Sequence, residues 1–224
     1  MSTEQTLSGL ARLVEELPGR QGLFSINTEQ VIAPGQWLES EGIKYPIFHY
    51  KNEQAQFLAP LKHPLPNRFQ LAGQPIELPD DDTKILLLAE NQAIPLVLFL
   101  IIQLQQLWGK KKLQQRMSKI LLASKNEFPF FPVPSRFMIP RMPVGTIAST
   151  QLLEDLALPA RLASGSGAAG CFDGSLSSLL EEIYGNDYLE SNTLVVAIGT
   201  NQLSESIKKL LGKNTTKQLF IHFE

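Results

Sequence analysis

The sequence predicts a small antiparallel β-barrel followed by an α/β domain with a five-stranded parallel sheet. Three observations lead there. Residues 1 to about 80 hold short runs of β-formers parted by Pro and Gly turns, with no helical periodicity beyond the first dozen positions. From Ile85 onward, apolar runs of strand length alternate with longer helical segments, the rhythm of a parallel sheet with right-handed crossovers. Between them "LPDDDTK" (78–84) is a polar, proline-initiated break, which divides the chain into 1–82 and 83–224.

In the first half the strand candidates lie within "LPGRQGLFSIN", "APGQWLE", "KYPIFHY", "AQFLAPL" and "FQLAGQPIELP", with Trp37, Phe48, Tyr50, Phe57 and Phe69 as the expected core. The barrel reads about one strand short of the usual size. In the second half "ILLLA" (85–89) is a fully buried strand. "IPLVLFLIIQLQQLWGKKK" is a helix with Pro95 in its first turn, where a missing N–H is harmless, and with Lys110–Lys112 at the end that the helix dipole favours for cations. "KILLAS" (119–124), "ARLAS", "TLVVAIG" and "QLFIHFE" supply the other four strands. "TQLLEDLAL" is a helix ended by Pro159, "SLSSLLEEIYG" one stopped at Gly185, and "NQLSESIKKLLG" one stopped at Gly212.

The stretch "KNEFPFFPVPSRFMIPRMPVG" (125–145) carries five prolines and cannot be a regular helix. It reads as a proline-stiffened cover over a sheet edge, or as an interaction surface in which Arg136 and Arg141 meet anions.

Composition narrows the function classes. The chain has 224 residues, 43% hydrophobic and 19% charged, enough for a packed core. A net charge of −2 argues against a nucleic-acid partner. The single cysteine, Cys171, permits no intrachain disulfide and no cysteine-based metal cage, and suits a reducing cytoplasm. His49, His63 and His222 show no metal-ligand spacing. No histidine near Cys171 in sequence would activate it, so a small buried hydrophobe is expected there. Glu154, Asp155 and Asp80–Asp82 read as solvated faces. The polar start "MSTEQTLSGL" lacks the pattern of a secretory signal. A membrane-spanning helix needs about 20 apolar residues. Glu90, Asn91 and Gln92 interrupt the longest apolar stretch, so no membrane span is expected.

Ligands of a parallel sheet sit outside the carboxyl ends of its strands. Three such ends stand out. "LAENQAIP" is laid out like a nucleotide-binding turn but has no glycine, and Glu90 would repel a pyrophosphate. "ASGSGAAGCFDGS" (163–175) brings Gly165 and Ser166 into a backbone-rich loop, suited either to a ligand or to a plain connector. In "AIGTNQLSES", Gly199 ends a strand, and Thr200 or Asn201 caps the next helix or meets a ligand.

Taken together these segments resemble the ferredoxin–NADP reductase superfamily, most nearly the electron-transfer subunit of dihydroorotate dehydrogenase. "APGQWLE" resembles that family's proline-glycine-glutamine strand, and "KYPIF" stands where its arginine-proline-aromatic-serine flavin motif lies. "FQLAGQPIELP" resembles the strand and turn before the domain junction. "ILLLAENQAIPLVLF" resembles the strand-turn-helix that opens the nicotinamide domain, with Pro95 at the motif's proline. "ASGSGAAGCFDGSLSSLL" resembles the loop and helix after the third strand, and "VVAIGTNQLSESI" the alanine-cysteine-glycine-proline stretch, with Gly199 as its glycine.

The resemblance implies a ferredoxin reductase-like fold and an oxidoreductase passing electrons between NAD(P)H, FAD and a protein redox partner or small acceptor. FAD would lie against Lys44, Tyr45, Pro46 and Phe48, with Tyr45 or Phe48 stacking on its ring. The nicotinamide nucleotide would meet Gly165, Ser166, Gly199, Thr200 and Asn201. The departures are specific. Tyr45, or at best Lys44, replaces the flavin-motif arginine, and Phe48 its serine. Ile198 and Thr200 replace the cysteine and proline. The glycines of the nucleotide turn are gone, and a chain with one cysteine holds no iron–sulfur cluster. Both cofactors are therefore expected to bind weakly or not at all. A non-catalytic binding or regulatory module that keeps the reductase fold is the alternative.

Overall fold

The computed structural model describes residues 6–185, 189, 192–211 and 217–223. The helix stop expected at Gly212 lies outside them. The first part is one curled antiparallel sheet of β1 (Thr6–Ser8), β2 (Arg12–Leu17), β3 (Gln21–Asn27), β4 (Gln36–Ser40), β5 (Ile43–Lys51), β6 (Gln54–Pro60) and β7 (Arg68–Gly73). Their spatial order is β1-β7-β4-β5-β6-β3-β2. The two outermost strands, β1 and β2, are joined by residues 9–11 alone, so the sheet must curl until its edges are neighbours. β2 is exposed along nearly its whole length, and its pairing with β3 slips between Leu13 and Glu15.

Two tight turns fix where β5 lies. The loops between β4 and β5 and between β5 and β6 have two residues each. Glu41 and Gly42 have φ of 53° and 76°, Asn52 and Glu53 of 51° and 59°. Left-handed conformation at both loop positions is the hairpin geometry that matches strand twist. It sets Lys44 opposite Glu39 and Pro46 opposite Trp37.

The inner face packs Tyr45, Phe57 and Phe69 edge to face, with ring centroids 5.3 to 5.8 Å apart. Phe57 and Phe69 are core residues as expected. Trp37 and Phe48 instead turn outward, onto the hydrophobic core of the second half. Phe99, from the long helix of that second half, joins the barrel core in exchange. The reason is the period-2 alternation of β4 and β5, which sends Leu38, Tyr45 and Ile47 inward and Trp37 and Phe48 outward, while a register shift after Ile47 leaves Tyr50, also expected in the core, half-buried against the barrel interior.

The second part is a parallel sheet built from β8 (Lys84–Glu90), β9 (Met117–Ser124), β12 (Ala160–Ser164), β13 (Phe172–Asp173), β14 (Thr193–Gly199) and β15 (Lys217–His222). A short hairpin of β10 (Val133–Pro134) and β11 (Ala148–Ser149) lies between β9 and β12. The helices are α1 (Ile94–Arg116), α2 (Gln151–Asp155), α3 (Leu176–Tyr184) and α4 (Asn201–Leu211). The order is β13-β12-β9-β8-β14-β15. The five expected strands are all present. β13 makes a sixth: two residues beside Gly170 and Gly174, too short for any apolar run to announce it.

α1 is the one helix long and apolar enough to cross a membrane, among the described residues. Ile94 to Ile101 of α1 are buried against the sheet and the barrel. Its ladder breaks at Gly109 (φ 75°, ψ 162°) and resumes to Arg116, so Lys110–Lys112 open a second helical piece and do not close the helix. Lys112 reaches Asp80 at 2.6 Å, and the Arg116 Nε donates to the Thr83 carbonyl at 3.2 Å.

The Lys112 hydrogen bond holds the Asp80 carboxyl below its ordinary range, and bonds from Thr83 do the same for Asp81. Folding therefore releases protons from both groups. Their contribution to stability is present above the unfolded carboxylate pKa, about 3.9, and is lost as pH falls through the lower folded values. Urea midpoints measured against pH should fall on the acid side, with a shallower fall in Asp80→Asn.

The proline-rich stretch is the expected cover, but it is held down over a sheet face. Phe128 is buried and stacks on Phe130 at 5.3 Å. Arg161, 4% exposed, donates to the carbonyls of Thr146, Ala160 and Phe137. Arg136 is engaged with Glu154: its backbone N–H donates to Oε2 at 2.9 Å and its Nε at 3.4 Å. Glu154 is thus no solvated face but 3% exposed. Burial opposes its charge, yet hydrogen bonds led by the Arg136 N–H outweigh this and hold its carboxyl below the usual range.

Candidate functional site

A cavity of about 340 Å³ opens in the crevice between the barrel and the carboxyl ends of β8 and β9. That is the lower end of the ~300–1,000 Å³ typical of small-molecule sites. The β4–β5 turn and β5 supply Gly42 to Pro46 on one side. The β8–α1 turn supplies Asn91, Gln92 and Pro95 on the other, and Asn126, Glu127 and Pro129 from the chain after β9 close the floor. Lys44 and Glu127 are its charged groups, and Gln21, Asn91, Gln92 and Asn126 its amides.

Lys44 and Pro46, both expected in a flavin site, line this cavity. Tyr45 borders it, but its ring is packed edge to face between Phe57 and Phe69 at 6% exposure, so it is not offered for stacking. Phe48 is half-buried on the α/β core and does not line the cavity. The Lys44 ammonium lies 5.5 Å from the Trp37 ring and 5.7 Å from that of Phe223. These two rings meet edge to face at 5.3 Å, and the Phe223 N–H donates to the Gly199 carbonyl at 3.0 Å. The chain's penultimate residue thus ties β14 to the barrel beside the crevice. Nothing in "QLFIHFE" beyond its apolar character signals that.

The β8–α1 turn explains how a nucleotide-type layout survives without glycine. Asn91 takes the left-handed conformation (φ 53°), which asparagine tolerates better than most residues, and its Oδ1 accepts from the Lys125 N–H at 2.9 Å. Glu90 turns toward β14. Its Oε1 accepts from the Thr200 N–H at 3.2 Å and from the Thr200 hydroxyl at 2.5 Å. The Thr200 hydroxyl in turn accepts from the Leu203 N–H at 3.1 Å, capping α4. A carboxylate of the protein therefore already sits at the start of α4, where the helix dipole favours an anion. Gly199 is required by this contact, since a Cβ there would come 2.8 Å from the Glu90 Cγ.

Gly199, Thr200 and Asn201 thus stand together at the end of β14, but outside the cavity lining. Gly165 lies elsewhere, in a second groove of about 220 Å³ along the ends of β8, β9 and β12. Ser166 beside it donates to the Asn126 carbonyl at 3.2 Å and lies 3.0 Å from the Ser164 hydroxyl. Gln21, Asn126 and Pro129 were not expected at the site. Gln21 opens β3, and Asn126 and Pro129 lie in the proline-rich stretch, where the sequence gives no sign of a ligand.

Cys171 is half-buried, and burial pushes its thiol pKa up to about 11. Only the thiolate is nucleophilic. The native protein should therefore react with a thiol-specific disulfide reagent at pH 7 many-fold more slowly than the urea-unfolded chain, as followed by released chromophore.

No protein-family model and no curated protein matches the sequence. Solved structures do. A ferredoxin NADP+ reductase from Neisseria gonorrhoeae with bound FAD and NADP superposes with a TM-score of 0.59 at 13% identity, over 97% of this chain and 98% of that one. The ferredoxin-NADP+ reductase from Plasmodium falciparum gives 0.60 at 9% identity over 97% and 95%. The flavohem-like FAD/NAD-binding domain of nitric oxide dioxygenase from Vibrio cholerae gives 0.58 at 10% identity over 98% and 99%. Across nearly its whole length, this chain has the ferredoxin reductase-like fold of FAD- and NAD-binding proteins.

Proposed function

We propose that this protein is a divergent flavin-dependent electron-transfer oxidoreductase of the reductase kind, with residues 1–82 as its flavin-side unit and 83–224 as its nucleotide-side unit. The observation that supports it is the position of the cavity. It lies in the crevice between the barrel and the strand ends, with Lys44 on its barrel wall. FAD fits the residues present: Lys44 as counter-charge to a phosphate, the flat faces of Pro46, Pro95 and Pro129 against a ring, and Gln21, Gln92 and Asn126 for its polar edge. Bound flavin would supply the redox chemistry, and the protein would bind, orient and shield it. Lys44 is a point charge without the bidentate fork of an arginine, so FAD should be held loosely.

The nicotinamide nucleotide fits less well, because Glu90 occupies the α4 end of the crevice, and its affinity should be low. A protein redox partner, a cytoplasmic setting and kinship with the dihydroorotate dehydrogenase branch belong to the same reading. One solved neighbour of the fold is a cytochrome P450 reductase from Amycolatopsis.

The test is flavin titration of the purified protein, followed by fluorescence quenching and by melting temperature, which rises with the logarithm of ligand over its dissociation constant. Saturable 1:1 binding lost in Lys44→Glu supports the reading. Colourless protein that is indifferent to FAD refutes it. That result would favour a non-catalytic binding module, which the Glu90–Thr200 contact independently suits.

A further inference from the structure

A depression of about 410 Å³ opens on the outer face of the barrel, and its lining shares no residue with the crevice. The two lie at opposite ends of the same three strands. Gln21, Lys44 and Pro60 mark the crevice end of β3, β5 and β6, and Asn27, Lys51 and Gln54 mark the other. Strand pairing sets this second group in rows. Asn27 stands opposite Gln54 and Gln54 opposite Lys51, while Gln56 stands opposite His49. Residues paired across a sheet share a face, as do residues two apart along a strand. Asn27, His49, Lys51, Gln54 and Gln56 therefore project together, and Asn52 of the β5–β6 turn completes the lining.

His49 is there because of the register shift in β5. Ile47 pairs with Phe57 on the inner face of the barrel. Regular alternation would then set His49 opposite Ala55 in the same core. The shift inserts one residue, pairs His49 with Gln56 and turns the imidazole outward beside Lys51. A bulge disrupts the local ladder, and such irregularities recur where a side chain must be re-aimed. The result is an imidazole and an ammonium side by side among amides, with no carboxylate in the lining among the described residues. Glu53, in the same turn, is exposed and lies outside the lining. Burial, and then Lys51, push the His49 imidazole below its ordinary value. A bound anion would act the other way, by favouring the charged ring.

We propose that this depression is an oxyanion site, separate from the crevice, that takes the phosphate group of a small soluble molecule. Lys51 supplies the fixed charge, as a compact ammonium with rotatable donors. His49 supplies a second donor, which gains charge as pH falls. The amide groups of Asn27, Gln54 and Gln56 offer N–H donors to the remaining oxygens. The site does not depend on the flavin reading, since it uses none of the crevice residues.

Titration of the intact protein with inorganic phosphate, at ionic strength held constant with chloride, tests this. Calorimetry should show one saturable site with a dissociation constant on the order of millimolar. Lys51→Gln and His49→Gln should each weaken it several-fold. Lys62→Gln, at an exposed lysine of the same half outside the lining, should leave it unchanged. Lys51 is exposed, so its variant should fold normally. Sulfate, whose charge is constant near neutrality, should bind several-fold more tightly at about pH 5 than at about pH 8, either side of an ordinary histidine. His49→Gln should remove that difference. In proton NMR the His49 ring signals should titrate at higher pH when phosphate is present. No saturable binding, equal affinity in Lys51→Gln and the wild type, a loss as large in Lys62→Gln, or a His49 titration indifferent to phosphate would each overturn the proposal. Flavin affinity should be the same in Lys51→Gln, so either result leaves the flavin reading where it stands.

Discussion

Replacing Glu90 by glycine should improve NADPH affinity about tenfold or more, starting from a wild-type dissociation constant on the order of millimolar. Two effects act together. The substitution removes a negative charge beside the place proposed for a nucleotide phosphate. It also clears the side chain that packs on Gly199, whose position tolerates no Cβ. Glu90→Gln separates them, because it keeps the acceptor for Thr200 and removes only the charge. The gain carries a cost in stability. Thr200 loses an ionised acceptor at both its N–H and its hydroxyl, and hydrogen bonds to charged groups contribute roughly 1.5–3 kcal/mol each. Calorimetric NADPH titrations of the three proteins, with urea melts alongside, give both quantities. No gain in affinity with glycine would mean that the nucleotide never approaches this turn.

Phe223→Ala should be the most destabilising single change near the C-terminus. The ring is 3% exposed and sits edge to face on Trp37 within the core shared by barrel and sheet. Truncating a buried phenylalanine to alanine costs about 3–5 kcal/mol, against a total of about 5–15 kcal/mol for a typical protein. Chemical denaturation should show the midpoint shifted by a corresponding amount with its slope unchanged. A shift below about 1 kcal/mol, the level of ordinary surface changes, would mean that Phe223 does not join the two parts in solution. Phe223→Leu, which keeps the apolar bulk, should recover much of the loss.

What could be read from the sequence was whatever is local. "ILLLAENQAIPLVLF" announces β8, its turn and α1 because an apolar run, a polar break and a proline in the first turn each have one simple meaning. β5 shows the limit. In "IKYPIFHY" both alternating sets are apolar: Ile43, Tyr45 and Ile47 in one, Pro46 and Phe48 in the other, and a register shift between Ile47 and His49 returns Tyr50 to the barrel core. Periodicity therefore could not say whether Lys44 or Tyr45 looks into the crevice, and the neighbouring strands decided it. Glu90 was marked by the absence of glycine around it. Its partner Thr200 stands 110 residues away, and no spacing rule connects them. Arg161 and Glu154 are similar cases: charged residues in apolar or helical contexts, buried because loop carbonyls and backbone N–H groups that the sequence does not locate close around them.

The slipped pairing of β2 bears on how the protein behaves when crowded. An outer strand presents a row of main-chain donors and acceptors that another chain can adopt, and stacking of that kind leads to fibres. β2 exposes Leu13 and Val14, which would invite it. The irregularity between Leu13 and Glu15 bends that row out of line, and Arg12, Glu15 and Glu16 place charges along a strand of only six residues. The barrel's open flank is thereby a poor template for its own copies, and concentrated solutions should stay free of β-rich aggregate as long as that bend and those charges remain.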